Sequence, residues 1–284
     1  MKARTNKQAK LNKKITSIIA QIFLALLALI VVFPIVYVVL ISFGKNVVSG
    51  DAAFPTAFTL DNYKQLFTQT RFAYWMGNTM LIAGSTVVIS LIFVSVSVYV
   101  FSRLRFKGKQ SLFNTVLLLQ VFPLTLSMVS LFKIFAAIGL LNKPLSLIIV
   151  DSALCSASLV LVAKGYFDTI PYELDEAARI DGASRLGVLV RIILPLALPM
   201  LSFIAIQSFV LSYNEYVIAS AIMSEGVDAY PVAVGLQSIL AGQQGQNWSL
   251  YCAGAVLGSI PMLILFYSLQ KYFIGGLTSG GVKG

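Results

Sequence analysis

The fold of this chain is decided by residues 72–102, which read FAYWMGNTMLIAGSTVVISLIFVSVSVYVFS. The stretch lies between Arg71 and Arg103 and contains no charged side chain. A helix needs about 20 predominantly apolar residues to cross the hydrocarbon core of a bilayer. The stretch is longer than that, so it predicts a transmembrane helix and an integral membrane protein.

Five other stretches have the same character, and they extend the prediction to six transmembrane helices in an all-α fold. These stretches are residues 15–44, 110–132, 144–163, 192–214 and 229–270. The first helix is predicted over 15–43, the fifth pattern continues to Met223, and the last is strongest from Tyr251. Asp151 interrupts the fourth stretch. Its insertion cost of about 3 kcal/mol is offset by ten Leu, Ile and Val residues at roughly −0.3 to −0.6 kcal/mol each.

The composition excludes several classes of protein. Hydrophobic residues make up 58% of the chain and charged residues 11%, against roughly 25% charged residues in soluble domains, and the mean hydropathy is +0.86. These values exclude a soluble enzyme, a disordered protein and a nucleic-acid binder. The chain has no histidine, and Cys155 and Cys252 are expected to be small buried hydrophobic residues. We therefore expect no catalytic residue, no metal site and no cofactor.

The distribution of Lys and Arg predicts the orientation of the six helices. Alternate segments between the predicted helices, residues 1–14, 103–109, 164–191 and 271–284, hold 16 of the 21 Lys and Arg residues. Cytoplasmic loops of membrane proteins carry an excess of these residues. We therefore expect both termini in the cytoplasm, with residues 1–14 as a basic cytoplasmic segment that can also contact anionic lipid.

The segment between the fourth and fifth predicted helices has helix signals of its own. Pro171 suits the first turn of a helix, acidic residues follow it, and Gly182 can end the helix in a left-handed conformation. Leu174, Ala177 and Ala178 are spaced to share one face. From these signals the segment is either a small helix pair with a low-profile face and an acidic rim that fits another protein, or an ordinary amphipathic connector.

The spacing within this segment resembles a known signature. Glu-Ala-Ala at 176–178, Gly182 four residues later, and Ile192, Leu194 and Pro195 match the signature loop of ABC importer permeases without a mismatch. The resemblance implies a type I ABC importer permease core over residues 72–270. It also implies that residues 164–195, here named the coupling loop, dock on a separate ATPase subunit. The coupling residues it implies are Glu173, Asp175, Glu176, Ala177, Ala178, Asp181, Gly182, Ile192, Leu194 and Pro195.

Other segments resemble the carbohydrate branch of that family, and most closely its maltose/maltodextrin permeases. These segments are 214–216, 230–236 and the glycine-rich end 275–284. The resemblance implies a bacterial cell membrane, two ATPase subunits, a second related permease, an extracytoplasmic sugar-binding protein and an oligosaccharide. It further implies that Gly280, Gly281, Val282 and Lys283, in the cytoplasmic tail 271–284, reach the ATPase interface. A frayed terminus is the alternative for this tail.

Two further groups of polar residues are candidates for contact with the sugar or its binding protein. The position of Gln243, Gln244, Gln246 and Asn247 resembles that of a loop in the maltose permeases, and the resemblance implies that these residues contact the binding protein. An ordinary surface loop is the equally consistent alternative. Within the predicted spans, Gln207 and Asn214 are seven residues apart and are expected to share a helix face. With Glu215 and Gln120 they are candidates for the translocation path, and hydrogen bonding between helices is the alternative role.

We therefore predict a permease subunit of an ATP-driven maltodextrin importer. The sequence contains no Gly-x4-Gly-Lys-Ser/Thr loop for ATP, so ATP hydrolysis is expected in a separate subunit. The same role for galacto-oligosaccharides or raffinose-type sugars is a close alternative. An ion-coupled secondary transporter is a remote one, with Asp151 and Glu215 as its candidate ion ligands.

Overall fold

The structure is a computed structural model, and it describes residues 2–45, 47, 54–121, 124–241 and 247–280. For residues 2–12, 121, 124–125 and 272–280 only the backbone is described. Within the described ranges the chain is helical, and an isolated β-bridge joins Gly44 and Phe58. This architecture agrees with the all-α prediction.

The helices are numbered here in chain order. They are α1 (Lys2–Ser42), α2 (Asp61–Thr68), α3 (Phe72–Arg103), α4 (Lys109–Val121), α5 (Met128–Ala137), α6 (Pro144–Phe167), α7 (Glu173–Ile180), α8 (Arg185–Val188), α9 (Leu194–Leu196), α10 (Leu198–Tyr213), α11 (Val217–Ile222), α12 (Val232–Ala241) and α13 (Trp248–Gly280). Turns of 3-10 helix cover Leu124–Ser127 and Val227–Ala229, and a π-helical segment covers Leu189–Ile193.

Among the described residues, four helices are long and apolar enough to cross a membrane. They are Lys13–Ser42 of α1, all of α3, all of α6, and Trp248–Lys271 of α13. A bent pair, Arg185–Leu196 followed by α10, gives a fifth crossing if it is counted as one span. The structure therefore supports a protein that crosses the membrane several times, with four or five such spans where the sequence predicts six.

The third predicted span, residues 110–132, accounts for the difference in number. The structure divides it among α4, a 3-10 turn and α5, and α4 and α5 have 13 and 10 residues. In the sequence, Pro123 falls between α4 and the 3-10 turn. Proline favours a kink or break because it lacks the amide hydrogen that a helix interior uses. Pro34 and Pro261 nevertheless lie inside the helices α1 and α13, so a proline alone does not account for the division of this span.

The fifth and sixth predicted spans also begin differently in the structure. The chain bends by 83° between Leu196 and Leu198, with Pro195 and Pro199 on either side of the bend, so the straight part of the fifth span is α10 alone. The sixth predicted stretch, 229–270, forms the short helix α12 and then the long helix α13. The part that is strongest in the sequence, from Tyr251, lies within α13.

Helices α3, α6 and α10 pack together at the centre of the larger of two compact units, which comprises Phe67–Ser238 and Leu257–Gly284. Several small residues of these helices are buried, among them Ala83, Ser90 and Ser95 on α3 and Ala163 on α6. In lipid, helices associate through close packing of small residues because the surrounding acyl chains are as apolar as leucine.

The smaller unit comprises Met1–Leu66 and Ile239–Val256. Its core contains Ile41, Val47 and Cys252, with Trp248 packed against it. The side-chain amide of Asn62 donates to the carbonyl oxygens of Ser42 and Gly44 at 2.9 and 2.8 Å. These two bonds cap the end of α1, whose last carbonyl groups have no partner within the helix.

Candidate functional site

The coupling loop contains the helix that the sequence predicts. Helix α7 runs from Glu173 to Ile180, and its first turn holds Glu173, Asp175 and Glu176. These carboxylates lie at the positive end of the helix dipole, where negative charge is stabilising. Asp181 follows the helix, and Gly182 has a φ of +86°, the left-handed conformation that ends helices and favours glycine.

Helix α7 divides its side chains between a buried face and an exposed face. Asp175 and Ala178 are buried, whereas Leu174 and Ala177 are exposed and Ile180 is 86% exposed. The sequence predicts that Leu174, Ala177 and Ala178 share one face, and this is wrong for Ala178, which lies on the buried face. Asp175 and Ala178 are three residues apart and point together toward the core. The sequence suggested an acidic rim that fits another protein, but Asp175 is buried and is not part of an exposed rim.

Asp175 points inward because a cation at the end of α3 meets it. Arg103 Nε lies 2.6 Å from Asp175 Oδ2, and the Arg103 side chain is only 3% exposed. Arg103 Nη2 also donates to the carbonyl oxygen of Ile170 at 2.7 Å, and the guanidinium carbon lies 4.2 Å from the ring centre of Tyr172. Tyr172 OH donates to the carbonyl oxygen of Ser102 at 2.6 Å. Arg103 and Tyr172 were not identified as functional residues from the sequence.

The pKa of the Asp175 carboxyl reflects this burial. Desolvation raises the pKa of the Asp175 carboxyl above its usual value, and the positive charge of Arg103 acts in the opposite direction without cancelling the effect. A carboxylate that is partly removed from water needs its partner, because an uncompensated buried charge is strongly destabilising. Loss of either Asp175 or Arg103 would therefore leave the other as an uncompensated buried charge.

The second half of the coupling loop forms a continuous helical segment from Arg185 to Leu196, which supplies the second helix of the predicted pair. Ser184 Oγ accepts a hydrogen bond from the Gly187 amide and caps its start. Of the signature residues, Ile192 and Leu194 are half-buried and pack against the core. Pro195 is exposed and lies just before the 83° bend into α10.

A cavity of about 620 Å³ lies between α4, α6 and α10. Its polar lining consists of Gln120, Asp151, Ser158, Ser212 and Glu215. Gln120 Nε2 donates to the carbonyl oxygen of Ala157 at 2.6 Å, and Ser212 Oγ donates to Asp151 Oδ2, also at 2.6 Å. The structure thus brings two carboxylates and an amide to one concave surface within apolar helices.

Two of the four residues predicted for the translocation path line this cavity, and two do not. Gln120 and Glu215 line it, whereas Gln207 is half-buried elsewhere on α10. Asn214 is exposed, and its side-chain amide donates to the Val210 carbonyl oxygen at 2.9 Å. Asn214 is the C-cap of α10, and its backbone amide still donates to the Val210 carbonyl oxygen at 3.2 Å. The expectation that Gln207 and Asn214 share a helix face therefore stays a prediction, although neither residue lines this cavity.

Several other predicted residues lie outside the described part of the chain. Gln243, Gln244 and Gln246 of the predicted binding-protein loop are among them, and so are Gly281, Val282 and Lys283 of the tail. Asn247 is described, and its Oδ1 accepts a hydrogen bond from the Leu250 amide at 3.0 Å at the start of α13. Gly280 is the last residue of α13, so the tail from 271 to 280 continues that helix.

The family assignment rests on a match to residues 93–278 of a family model whose description is "Binding-protein-dependent transport system inner membrane component". The matched region includes α6, the coupling loop, α10 and most of α13. It covers more than half of the chain.

Individual relatives extend the match to nearly the whole chain. The chain is 34% identical to the maltodextrin transport system permease protein MdxG of Bacillus subtilis, over 96% of this chain and 98% of the relative. It is 35% identical to the galactooligosaccharides transport system permease protein GanQ of the same organism, over 97% and 98%. It is also 34% identical to the maltose/maltodextrin transport system permease protein MalG of Vibrio vulnificus, over 89% and 91%.

The fold has a counterpart among solved structures. A chain in the crystal structure of a bacterial ABC transporter involved in import of the acidic polysaccharide alginate superposes with a TM-score of 0.76. The two chains are 24% identical, and the match covers 92% of this chain and 97% of the other. The predicted ABC importer permease fold is therefore confirmed. With nearly full-length relatives that are permeases and a helical core of the same fold, this chain belongs to the family of binding-protein-dependent transport system inner membrane components.

Proposed function

We propose that the chain is a permease subunit of an ATP-driven, binding-protein-dependent sugar importer, with a maltodextrin as its cargo. MdxG and MalG, which support this cargo, are named for maltodextrin or maltose transport. GanQ is as similar to the chain and is named for galactooligosaccharides, so a galacto-oligosaccharide is the second candidate cargo.

The exposed face of α7 carries this proposal. Leu174, Ala177 and Ile180 present apolar surface to solvent on a helix outside the candidate spans. Contiguous exposed apolar surface marks a contact site for another protein, and the small side chain of Ala177 lets a partner backbone approach closely. The proposed partner is an ATPase subunit. The importer would then contain two ATPase subunits, one docked on this chain and one on a second, related permease.

In this proposal the chain transmits ATP-driven movement and does not hydrolyse ATP. Closure of the ATPase dimer moves the coupling loop, and the packed helices rock between inward-open and outward-open arrangements. The cavity bounded by Gln120, Asp151, Ser212 and Glu215 is a candidate part of the path. Carboxylate and amide oxygens accept hydrogen bonds from hydroxyl groups, which are what a sugar presents.

We further propose that both termini and the coupling loop lie in the cytoplasm of a bacterial cell, with residues 242–247 on the opposite side of the cell membrane. The Lys and Arg distribution supports this orientation. Reporter fusions test it. A cytoplasmic reporter after residue 284 should be active, and an exported reporter inserted after residue 241 should be active as well. The reverse pattern would contradict the orientation.

The docking proposal is tested by Ala177→Arg, with Ala137→Arg as a matched control. Both alanines are exposed and helical, but Ala137 lies at the end of α5 rather than on α7. The chain would be co-purified with its candidate ATPase, partner permease and binding protein, and ATP hydrolysis would be measured in lipid with and without sugar. Ala177→Arg should lose the ATPase subunit and sugar-stimulated hydrolysis, while Ala137→Arg should keep both.

The same assay distinguishes the alternatives. Stimulation by maltodextrin but not by a galacto-oligosaccharide supports the first cargo, and the reverse supports the second. Sugar uptake that follows an ion gradient in the absence of ATP would contradict the ATP-driven mechanism.

A further inference from the structure

The coupling loop is attached to a helix that is remote from it in the sequence. The loop joins α6 to α10, but Arg103 and Ser102 at the end of α3 contact it across 67 and 70 residues of sequence. The Arg103 guanidinium makes three contacts with the loop. It forms an ion pair with Asp175, donates a hydrogen bond to the Ile170 carbonyl oxygen and lies over the ring of Tyr172. A guanidinium group is planar and presents its donors in a fixed geometry, so it holds several partners at once.

The surroundings of this contact are packed. Ile170 and Ala178, on either side of the ion pair in the sequence, are buried in the same hydrophobic cluster as Val98 and Phe101 of α3. Close-packed interiors transmit displacement because they have few voids that could absorb it. The loop from Ile170 to Ala178 is therefore held against α3 by polar contacts and by side-chain packing.

The covalent connection from the coupling loop into α10 is less regular. It passes through the π-helical segment Leu189–Ile193 and then through the 83° bend between Leu196 and Leu198. Mid-helix departures from the α-helical hydrogen-bond pattern and proline positions are the usual sites of helix bending. A displacement of α7 can be absorbed at this bend before it reaches α10. Toward α3, the same displacement is transmitted through the buried Arg103–Asp175 ion pair.

We infer that Arg103 is a positioning residue that makes the end of α3 and the coupling loop one mechanical unit. ATPase-driven movement of the loop then reaches α3 directly and not only through the two spans that the loop joins. This inference rests on the proposed docking of the ATPase on α7. In this inference Arg103 acts through Asp175, Ile170 and Tyr172.

The test compares Arg103→Ala with Arg71→Ala in the assembled transporter in lipid. Arg71 is the matched control because it also lies at an end of α3 and also pairs with an aspartate, Asp228, but its side chain is 57% exposed. Three quantities are measured for each variant: ATPase subunit retained on purification, ATP hydrolysed, and sugar transported per ATP. Arg103→Lys is included because lysine keeps the positive charge but not the planar fork.

Arg103→Ala should retain the ATPase subunit, since the exposed face of α7 is unchanged. Transport per ATP should fall about tenfold, the size of a typical coupling effect between two sites. Arg103→Lys should recover part of this loss, and Arg71→Ala should match the wild type. Wild-type transport per ATP in Arg103→Ala would overturn the inference. Failure of the wild-type chain to bind the ATPase would instead overturn the proposed function.

A milder variant decides the question if Arg103→Ala does not assemble. Tyr172→Phe removes the hydrogen bond to the Ser102 carbonyl oxygen but keeps the ring beside Arg103. Transport per ATP should fall in the same direction, by about two- to fivefold, as expected for loss of one contact in a coupled network. A wild-type ratio for Tyr172→Phe would contradict the inference.

Discussion

The two ends of helix α3 carry the same kind of ion pair in opposite surroundings. At one end Arg71 lies 2.9 Å from Asp228, and the two side chains are 57% and 61% exposed. At the other end Arg103 lies 2.6 Å from Asp175, and the side chains are 3% and 12% exposed. Exposed pairs contribute about 0–1 kcal/mol to stability, whereas loss of one partner from a buried pair leaves a charge without compensation. The buried Arg103–Asp175 pair is therefore expected to contribute to the structure, whereas the exposed Arg71–Asp228 pair is expected to contribute little.

The Arg71 end of α3 is held by neutral groups rather than by its ion pair. Trp75 Nε1 donates to the Val227 carbonyl oxygen at 2.7 Å, and the side-chain amide of Asn78 donates to the Asp228 carbonyl oxygen at 2.7 Å. Thr79 Oγ1 accepts from the Val232 amide, also at 2.7 Å. The two ends are thus fixed by different chemistry, and α3 connects segment 227–232 to the coupling loop.

The two ends of α3 are expected to differ most in the stability that is lost when the aspartate of each ion pair is replaced. Asp175→Ala leaves Arg103 buried without its counter-ion and should lower the free energy of unfolding by about 3–5 kcal/mol. Asp228→Ala should lower it by about 0–1 kcal/mol because its pair is exposed. Denaturant unfolding of the purified chain in detergent measures both. Equal losses of stability in the two variants would contradict the claim that the buried ion pair matters more than the exposed one.

Close packing at the Arg71 end gives the next effect. A Cβ atom added at Gly235 would overlap Cδ2 of the buried Trp75 ring, so Gly235→Ala should destabilise the protein by about 3 kcal/mol through overpacking. Gly258→Ala is the matched control. Its Cβ would meet Val232 Cγ2 at 3.9 Å, an ordinary contact. A neutral Gly235→Ala would show that Trp75 can move and that this end is not rigid.

A smaller effect tests whether neutral hydrogen bonds hold the Arg71 end. Thr79→Val preserves the shape of a fully buried side chain but leaves the Val232 amide without its acceptor. The expected loss of stability is about 1–2 kcal/mol, which is more than the loss from Asp228→Ala. If Asp228→Ala proves the more damaging of the two, the ion pair rather than the neutral bonds holds this end.

The smallest expected effect is a dependence on pH near the coupling loop. Burial tends to raise the pKa of Asp168, but the hydrogen bond and charge of Lys164, 2.6 Å away, and the charge of Arg103 outweigh it and lower the pKa below its usual value. A lowered carboxyl pKa contributes stability above the ordinary value and loses it as pH falls through the folded-state value. Asp168→Asn should therefore cost about 0.3–0.5 kcal/mol at neutral pH, and the difference should vanish in acid. A difference in stability that grows in acid would show that folding raises the pKa of Asp168 instead of lowering it.

Much of the architecture could be predicted from the sequence because lipid imposes simple requirements on it. Long apolar stretches located α1, α3, α6 and α13, and the signature spacing located α7 and the coupling loop. The break within the third span was harder to predict, because hydropathy averages over the residues around Pro123. The fifth span was missed in part because the pattern continues through a bend that only backbone geometry reveals.

The candidate site was predictable only where it is local in the sequence. In the sequence, Arg103 is one of sixteen basic residues that indicate orientation, and nothing local distinguishes it from Arg71. Its partner Asp175 lies about 70 residues away, and helical spacing alone does not reveal which face of α7 is covered. The cavity shows the same limit. Gln120, Asp151 and Glu215 line it together because α4, α6 and the residues that follow α10 converge there.

The central claim, that the coupling loop and α3 move together, is tested most directly by a distance measurement in the working transporter. Spin labels at Arg179 of α7 and Phe93 of α3, both exposed, would replace the native residues in a chain in which Cys155 and Cys252 are alanine. A second label pair, joining Arg179 to α7 of the partner permease, reports whether the loop has moved. If the coupling loop and α3 move together, ATP changes the distance to the partner permease and leaves the Arg179–Phe93 distance unchanged, and Arg103→Ala broadens the distribution of the Arg179–Phe93 distance. A change in the Arg179–Phe93 distance with Arg103 intact would contradict it.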